Sequence, residues 1–287
     1  MSRLRALAPA KVNLCLFLGP VREDGRHELV TLFESISLAD ELELTLDPAA
    51  AADQVICPGV SGPNLVSAAL SALREAGWNA PAVRIEIRKR IPVAAGLGGG
   101  SADAAAALRL AHAAAPLPSG LALRVASELG ADVPSQLSPG VSVGTGAGEI
   151  VEELEPLARH AYVIVPHRSG LSTAEVYREA DRLGLPRPSL DGLREHLLSA
   201  RPRPPDELLV NDLEPAAVSL CPGIAEALRA VHGAGADQAL VCGSGPTVAG
   251  IFWGEDGPAR ARKAVGRLPA ASVAEPVRGD RAAPVPD

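Results

Sequence analysis

Between Lys89 and Ser101 the chain reads Lys-Arg-Ile-Pro-Val-Ala-Ala-Gly-Leu-Gly-Gly-Gly-Ser. Gly96, Gly98, Gly99 and Gly100 leave the backbone bare just ahead of the Ala-rich run that starts at Ser101. The chemistry such a stretch can do is anion binding. The first turn of a helix offers N–H groups without partners and the positive end of its dipole, and glycines let a phosphate come within reach. A triphosphate suits that site. The segment is not a Walker loop, since Gly-x-x-x-x-Gly-Lys-Ser/Thr is absent, and a dinucleotide fingerprint needs a third glycine where Ser101 stands. A glycine cluster can also be a plain turn. A floppy linker, however, does not run straight into so strong a helix former, with Ser101 available to cap it.

Other residues with possible chemistry stand apart in the chain. Asp132 follows Gly130, which closes a helical stretch, and precedes Pro134, which suits the first position of the next helix. Its carboxylate therefore sits in a turn, as a base or as a mere helix N-terminal carboxylate. Lys11 stands near the end of an apolar stretch, where a snorkelling lysine is the ordinary explanation. His27 follows the turn signal Asp24-Gly25 and by itself reads as a solvated histidine. Gly243-Ser244-Gly245 is either a second backbone-rich phosphate turn or a hairpin. Asn13 and Lys89 are either ligand contacts or plain polar strand residues. Cys15, Cys57, Cys221 and Cys242 form no C-x-x-C pair and read as small apolar fillers.

The elements that must position these groups show in the periodicity. Strand alternation runs through 12–16, 41–46 and 83–88, and helical period with start signals through 64–76, 101–114 and 119–129. From about residue 160 the order is strand (161–165), helices, strand (238–242), strand (247–253), helix (258–268) and strand (271–277). With the helix near Pro222 as first crossover this is βαββαβ, the split βαβ or ferredoxin-like unit. Before that helix lie a capping box, Ser172-x-x-Glu175, and a proline-rich exposed connection at 201–205. The end, 281–287, reads as frayed.

Bulk composition narrows the function. The 287 residues carry a formal net charge of −7 and only 2% aromatics, which excludes a nucleic-acid reader that stacks bases in a basic groove. Phosphate recognition must be local. No run of about 18 uncharged apolar residues occurs, so no membrane partner and a cytoplasmic location are expected.

These segments together resemble the GHMP kinases. Ala8-Pro9-Ala10-Lys11-Val12-Asn13-Leu14 is similar to the family's first motif, the glycine loop to its second, and Val241-Cys242-Gly243-Ser244-Gly245-Pro246-Thr247 to its third. The resemblance implies an α+β, two-domain fold. Its N-terminal domain, ribosomal-protein-S5-domain-2-like, would span 1–156 and its ferredoxin-like C-terminal domain 157–280. It also implies ATP as co-substrate, held by Pro92, Val93, Ala94, Ala95, Gly96, Leu97, Gly98, Gly99, Gly100, Ser101 and Ala102 together with Asn64 and Leu65. Magnesium (Mg) would arrive with ATP, the Ser101 hydroxyl being its one candidate protein ligand. Lys11 and Asp132 take the catalytic roles, with the lysine lowering the pKa of the acceptor hydroxyl and the aspartate accepting its proton. Asn13, Arg26, His27, Lys89, Gly243, Ser244 and Gly245, with Asp132, would contact the substrate.

Further segments resemble the branch whose acceptor is a cytidine-diphosphate-linked methylerythritol: 22–29 followed by Thr31-Leu32-Phe33, then 130–134 and 211–214. In that branch His27 would lie beside the cytosine. The residue before it is usually an aromatic that stacks on the base, and here it is Arg26, whose guanidinium plane can also stack. Ala95 stands where another glycine is common, and Ala102-Asp103 replaces a Ser-Asn pair, with Asp103 expected to face away from phosphate. Kinases of the homoserine or phosphomevalonate type are the alternatives, and a nucleotide-binding sensor would lack Lys11 and Asp132. The expected assembly is a monomer or a homodimer.

Overall fold

The computed structural model describes residues 3–60 and 62–286. The chain opens on two long antiparallel strands, β1 (Arg3–Val21) and β2 (His27–Leu46), followed by β3 (Gln54–Ile56), α1 (Leu65–Glu75), β4 (Val83–Arg88), α2 (Gly99–Ala114) and α3 (Leu121–Leu129). A hairpin of β5 (Val141–Thr145) and β6 (Ile150–Leu154) follows. With the last strand, β11 (Val285–Pro286), the sheet order is β11-β1-β2-β4-β3, with β5 pairing β2 and β6 outside it. Alternation revealed only short pieces of β1 and β2. From Ala8 to Leu18 every residue of β1 is buried, so no polar face exists to produce a period of two.

Helices α1, α2 and α3 cover one face of this sheet. Val66, Leu70 and Leu73 of α1 and the Ala102–Ala107 stretch of α2 pack on Leu42, Leu44, Ile85 and Ile87. Few aromatics are needed, because alanines let α2 lie close to the strands. Its start differs from the sequence expectation. Gly98, with φ of 68°, is the N-cap, the helix begins at Gly99, and Ser101 makes no capping hydrogen bond. The carboxylate turn at Asp132 leads only into a short 3-10 turn at Pro134–Gln136, with the proline at its start.

The second half holds β7 (His160–Val165), α4 (Thr173–Leu183), α5 (Leu193–Ser199), α6 (Glu214–Leu220), α7 (Gly223–Gly233), β8 (Gln238–Val241), β9 (Val248–Trp253), α8 (Gly257–Val265) and β10 (Ser272–Ala274). Its sheet order, β10-β7-β9-β8 with every pair antiparallel, is the split βαβ arrangement. Helices α4, α5 and α6 are the insert before the first crossover. Ser172 is the N-cap of α4 but forms no side-chain cap, so the reciprocal capping box does not form. The chain end is not frayed through 286. β11 (Val285–Pro286) pairs with Leu4 and Arg5 of β1, and Ala282 is fully buried. Asp287 lies outside the described residues.

The two sheets are joined across a shared apolar core in which Val12, Phe17 and Ile36 meet Tyr162, Ile164 and Ile251. One polar joint lies inside it. Glu34 of β2 accepts a hydrogen bond from the Tyr162 hydroxyl of β7, and its Oε2 lies 2.7 Å from His160 Nε2. Among the described residues no helix is long and apolar enough to cross a membrane.

Candidate active site

β1 departs from regular pairing between Pro9 and Ala10 and again between Asn13 and Cys15. Bulges re-aim side chains, and here they bracket Lys11 and Asn13, which share one side of the strand. The Lys11 ammonium donates to Asn13 Oδ1 at 2.7 Å and lies 3.2 Å from Asp132 Oδ2. Asn13 Nδ2 donates to Thr31 Oγ1 at 2.8 Å, and the Thr31 hydroxyl donates to the Cys15 carbonyl at 2.6 Å. Lys11 is 4% exposed, so its charge is desolvated and its partners hold it in one place. Asp132 is one-third exposed and faces open space.

The glycine loop crosses directly over Lys11. Lys11 N donates to the Leu97 carbonyl at 3.0 Å, and a Cβ on Gly98 would lie 2.9 Å from Lys11 Cγ. The first intrahelical bond of α2 runs from Ala102 N to Gly98 O, leaving the N–H groups of Gly99, Gly100 and Ser101 for a ligand. Positive φ falls on Gly96 and Gly98 and also on Ala94, at 53°, while Ala95 is not among such residues. The left-handed strain thus sits one residue before the expected departure.

Gly243 closes the site from the second half. A Cβ there would lie 3.1 Å from the Gly96 carbonyl and 3.2 Å from Lys11 Nζ. Asn211 holds this turn by donating from Nδ2 to the carbonyls of Val241 and Gly243, at 2.8 and 2.7 Å. Its Oδ1 accepts from Leu213 N. Asp212 alongside binds Arg187 through both oxygens and accepts from Leu18 N, tying this segment to β1.

These elements enclose a cavity of about 540 Å³. Its lining includes Lys11, Asn13, Asn64, Leu65, Lys89, the whole run from Pro92 to Ser101, Asp132, Gly243 and Ser244. Ala102 and Gly245 fall behind the lining, Ala102 in the helix core and Gly245 against Val241 and Ala217. Arg26 is also outside. Its guanidinium is bound edge-on to Asp24 at 2.9 and 3.0 Å. His27 sits behind the wall with Nε2 2.8 Å from Asp181 Oδ1.

Two lining residues escaped the reading of the sequence. Tyr177 of α4 lines the cavity with its ring 5.4 Å from that of His27, an aromatic face on the wall that Arg26 does not reach. Burial pushes its phenol above the ordinary range, with nearby Asp132 adding to the shift. A lone tyrosine on an amphipathic helix carries no signal of this in sequence. Thr31 did carry one, as a hydroxyl inside an otherwise apolar stretch of β2.

Lys89 serves two carboxylates at the helix end of the cavity. It donates to Asp103 Oδ2 at 2.7 Å and to Asp40 Oδ2, while Asp40 Oδ1 accepts from Ile91 N at 2.8 Å. Burial pushes Asp103 up to about 7, against the pull of Lys89 and with the repulsion of Asp40. Asp103 lines the cavity but spends its Oδ2 on Lys89, and its buried Oδ1 has no partner.

The sequence profile of the GHMP kinases N terminal domain matches residues 64–140, and that of the GHMP kinases C terminal domain matches 187–271. A 4-diphosphocytidyl-2-C-methyl-D-erythritol kinase of Corynebacterium efficiens is 41% identical over 86% of this chain and 84% of its own length. The chain belongs to the GHMP kinases. A kinase of the same description from Salinispora arenicola is 38% identical over 96% of this chain and 91% of its own. The crystal structure of a 4-(cytidine 5'-diphospho)-2C-methyl-D-erythritol kinase superposes with a TM-score of 0.76 at 36% identity, covering 95% of this chain and 98% of that one.

As a GHMP kinase the chain is an α+β small-molecule kinase with ATP as co-substrate. The three glycine- and lysine-bearing motifs of a GHMP kinase, far apart in sequence, converge here on one cavity.

Proposed function

We propose that the chain transfers the γ-phosphoryl group of ATP to a hydroxyl of 4-diphosphocytidyl-2-C-methyl-D-erythritol, giving the 2-phosphate and ADP, in non-mevalonate isoprenoid precursor synthesis. The observation that carries this reading is the 3.2 Å contact of Lys11 with Asp132, one face of it open to a cavity that runs from the glycine cradle to Tyr177.

Phosphoryl transfer asks the protein for positioning, charge neutralisation and a proton acceptor. Asp132 accepts the proton of the acceptor hydroxyl as its oxygen bonds to the γ-phosphorus and the bond to the β,γ-bridging oxygen breaks. Lys11, held by Asn13, stabilises the charge developing on the attacking oxygen. The free N–H groups of Gly99, Gly100 and Ser101 bind the phosphates. Asn64, whose Oδ1 caps α1 through Val66 N, keeps its amide nitrogen for the nucleotide, beside Leu65. Tyr177, backed by His27 behind the wall, receives the cytosine end of the acceptor, with Gly243 and Ser244 over its phosphates.

Among the described residues no group of three or more His, Cys, Asp or Glu side chains could hold a metal ion. The Ser101 hydroxyl on the cavity wall suits a magnesium ion that arrives with ATP and keeps several waters. Such an ion neutralises phosphate charge. We further read the chain as two domains dividing between β6 and β7, near residue 156, with β11 returning to the first. The location inferred is the cytoplasm.

The deciding assay offers the purified protein ATP and magnesium with the cytidylyl acceptor, homoserine or phosphomevalonate, and measures ADP. Turnover is expected on the first alone. No turnover there, with turnover on another acceptor, rejects the assignment.

A further inference from the structure

Arg109 lies on α2, the phosphate-binding helix, among Ala104–Leu108, Leu110 and Ala111, all buried. Among the described residues its guanidinium has no carboxylate partner. Nη1 donates to the Gln136 carbonyl and Nη2 to the Leu7 carbonyl at 2.7 Å, while the buried Nε finds no acceptor. Burial alone pulls this arginine down to about 10. A charge desolvated without a counter-ion is costly, and a leucine would fill the space at no such cost.

The two carbonyls say what the guanidinium achieves. Leu7 belongs to β1 and lies four residues before Lys11, just ahead of the bulge at Pro9 and Ala10. Gln136 ends the 3-10 turn that follows Asp132, and Ser135 Oγ donates back to the Asp132 carbonyl at 2.9 Å. Val133 and Leu137 pack the turn into the apolar core, but both amide atoms of the Gln136 side chain are buried without partners, so Arg109 supplies the side-chain hydrogen bond that ties its end to β1. β11 covers β1 only at Leu4 and Arg5, short of Leu7.

We propose that Arg109 is a positioning residue for the kinase reaction, its planar fork fixing the strand that carries Lys11 against the turn that carries Asp132. A guanidinium reaches two carbonyls in set directions, whereas an ammonium is a point charge that cannot span both. Because the fork sits on α2, it also ties this pair to the helix that cradles the phosphates. The inference rests on the reading of Lys11 and Asp132 as the reacting pair.

The test uses Arg109→Lys and Arg109→Met in the full chain, with two readouts. Steady-state kinetics should show kcat falling about tenfold to a hundredfold, with the KM for ATP within about twofold, because misplacement affects the reacting pair and not the phosphate cradle. The wild-type chain has only three lysines, Lys11, Lys89 and Lys263, and Arg109→Met adds none, so a lysine-labelled ammonium spectrum reads Lys11 separately, the one extra signal of Arg109→Lys being identified by comparison with Arg109→Met. The Lys11 signal should move in both variants while that of Lys89 stays. Folded variants with unchanged kcat and an unmoved Lys11 signal would overturn the proposal. So would a kcat loss that merely follows the folded fraction with the Lys11 signal unmoved. If the wild-type chain fails to use the cytidylyl acceptor, the substrate assignment falls, and the ammonium signal still decides the role of Arg109.

Discussion

Gly96 and Cys242 meet backbone to backbone, so that a Cβ added to Gly96 would lie 2.0 Å from the Cys242 carbonyl oxygen. Through this contact the phosphate loop of the first half is keyed into the glycine turn of the second. Neither side can yield, since Thr247 and Gly245 both bond the Cys242 backbone. Gly96→Ala also meets an unfavourable φ of 78°. We expect its thermal midpoint to fall by several degrees, about 4 °C or more, and kcat/KM by about a hundredfold. Differential scanning fluorimetry beside the ADP assay checks both, and a variant matching wild type would mean that the loops part without cost.

Lys11→Met and Asp132→Asn separate chemistry from folding. Each should lower kcat by a factor of about 10² to 10⁴, the range for loss of acid–base or charge-stabilising groups. Lys11→Met removes a buried charge along with its ligands' partner, so its midpoint should stay near wild type. Single-turnover rates by quenched flow are the measurement, and unimpaired rates would remove the pair from the mechanism.

Tyr177→Leu should act on one substrate only. Stacking on a base contributes about 1–3 kcal/mol, so the KM for the cytidylyl acceptor should rise about tenfold while that for ATP stays within about twofold. Equal effects on both KM values would place the ring elsewhere than at the acceptor base.

The joint between the sheets predicts a pH dependence of stability. Burial disfavours charge on His160, yet Glu34 through charge and hydrogen bond, with the Ala158 carbonyl, outweighs it and raises the imidazole above its ordinary 6.5. Stabilisation from the pair is therefore full below about pH 6.5 and is lost as pH rises through the raised folded value. Glu34→Gln, which breaks a pair whose side chains are each 1% exposed, should cost on the order of 3 kcal/mol at pH 6. The gap from wild type should narrow by pH 9. Urea unfolding at the two pH values measures it, and a gap that widens with pH would contradict the assignment.

Asp103 adds to the loss of stability with rising pH, at lower values. Its carboxyl is raised from 3.8 to about 7, so the burden of ionising it in the interior grows as pH climbs between those values. Asp103→Asn should therefore stabilise the protein at pH 8, on the order of 1 kcal/mol, with the gain smaller at pH 5 and nearly gone only below about pH 4. A larger gain at pH 5 than at pH 8 would be incompatible with the buried, shared Lys89.

Local chemistry was readable in the order of residues. Glycines before a helix former mark an anion cradle because backbone access and unpaired N–H groups are properties of a few consecutive residues. The split βαβ unit and the helices of 64–129 followed likewise from periodicity, since a half-buried element repeats its exposure. Ala8 to Leu18 concealed most of a strand because it is buried on both faces, and burial from two sides is a fact of the whole sheet. The helix starts at Gly99 rather than Ser101, capped by Gly98, whose left-handed turn beside Lys11 leaves no room for a side chain. Arg26 is bound to Asp24, its near neighbour, while Tyr177 comes from a distant helix to lie beside His27. The sequence by itself determined which groups could bind phosphate and move a proton. Which of them meet was decided by tertiary structure, because hydrogen-bond and ion-pair distances depend on packing between elements up to a hundred residues and more apart.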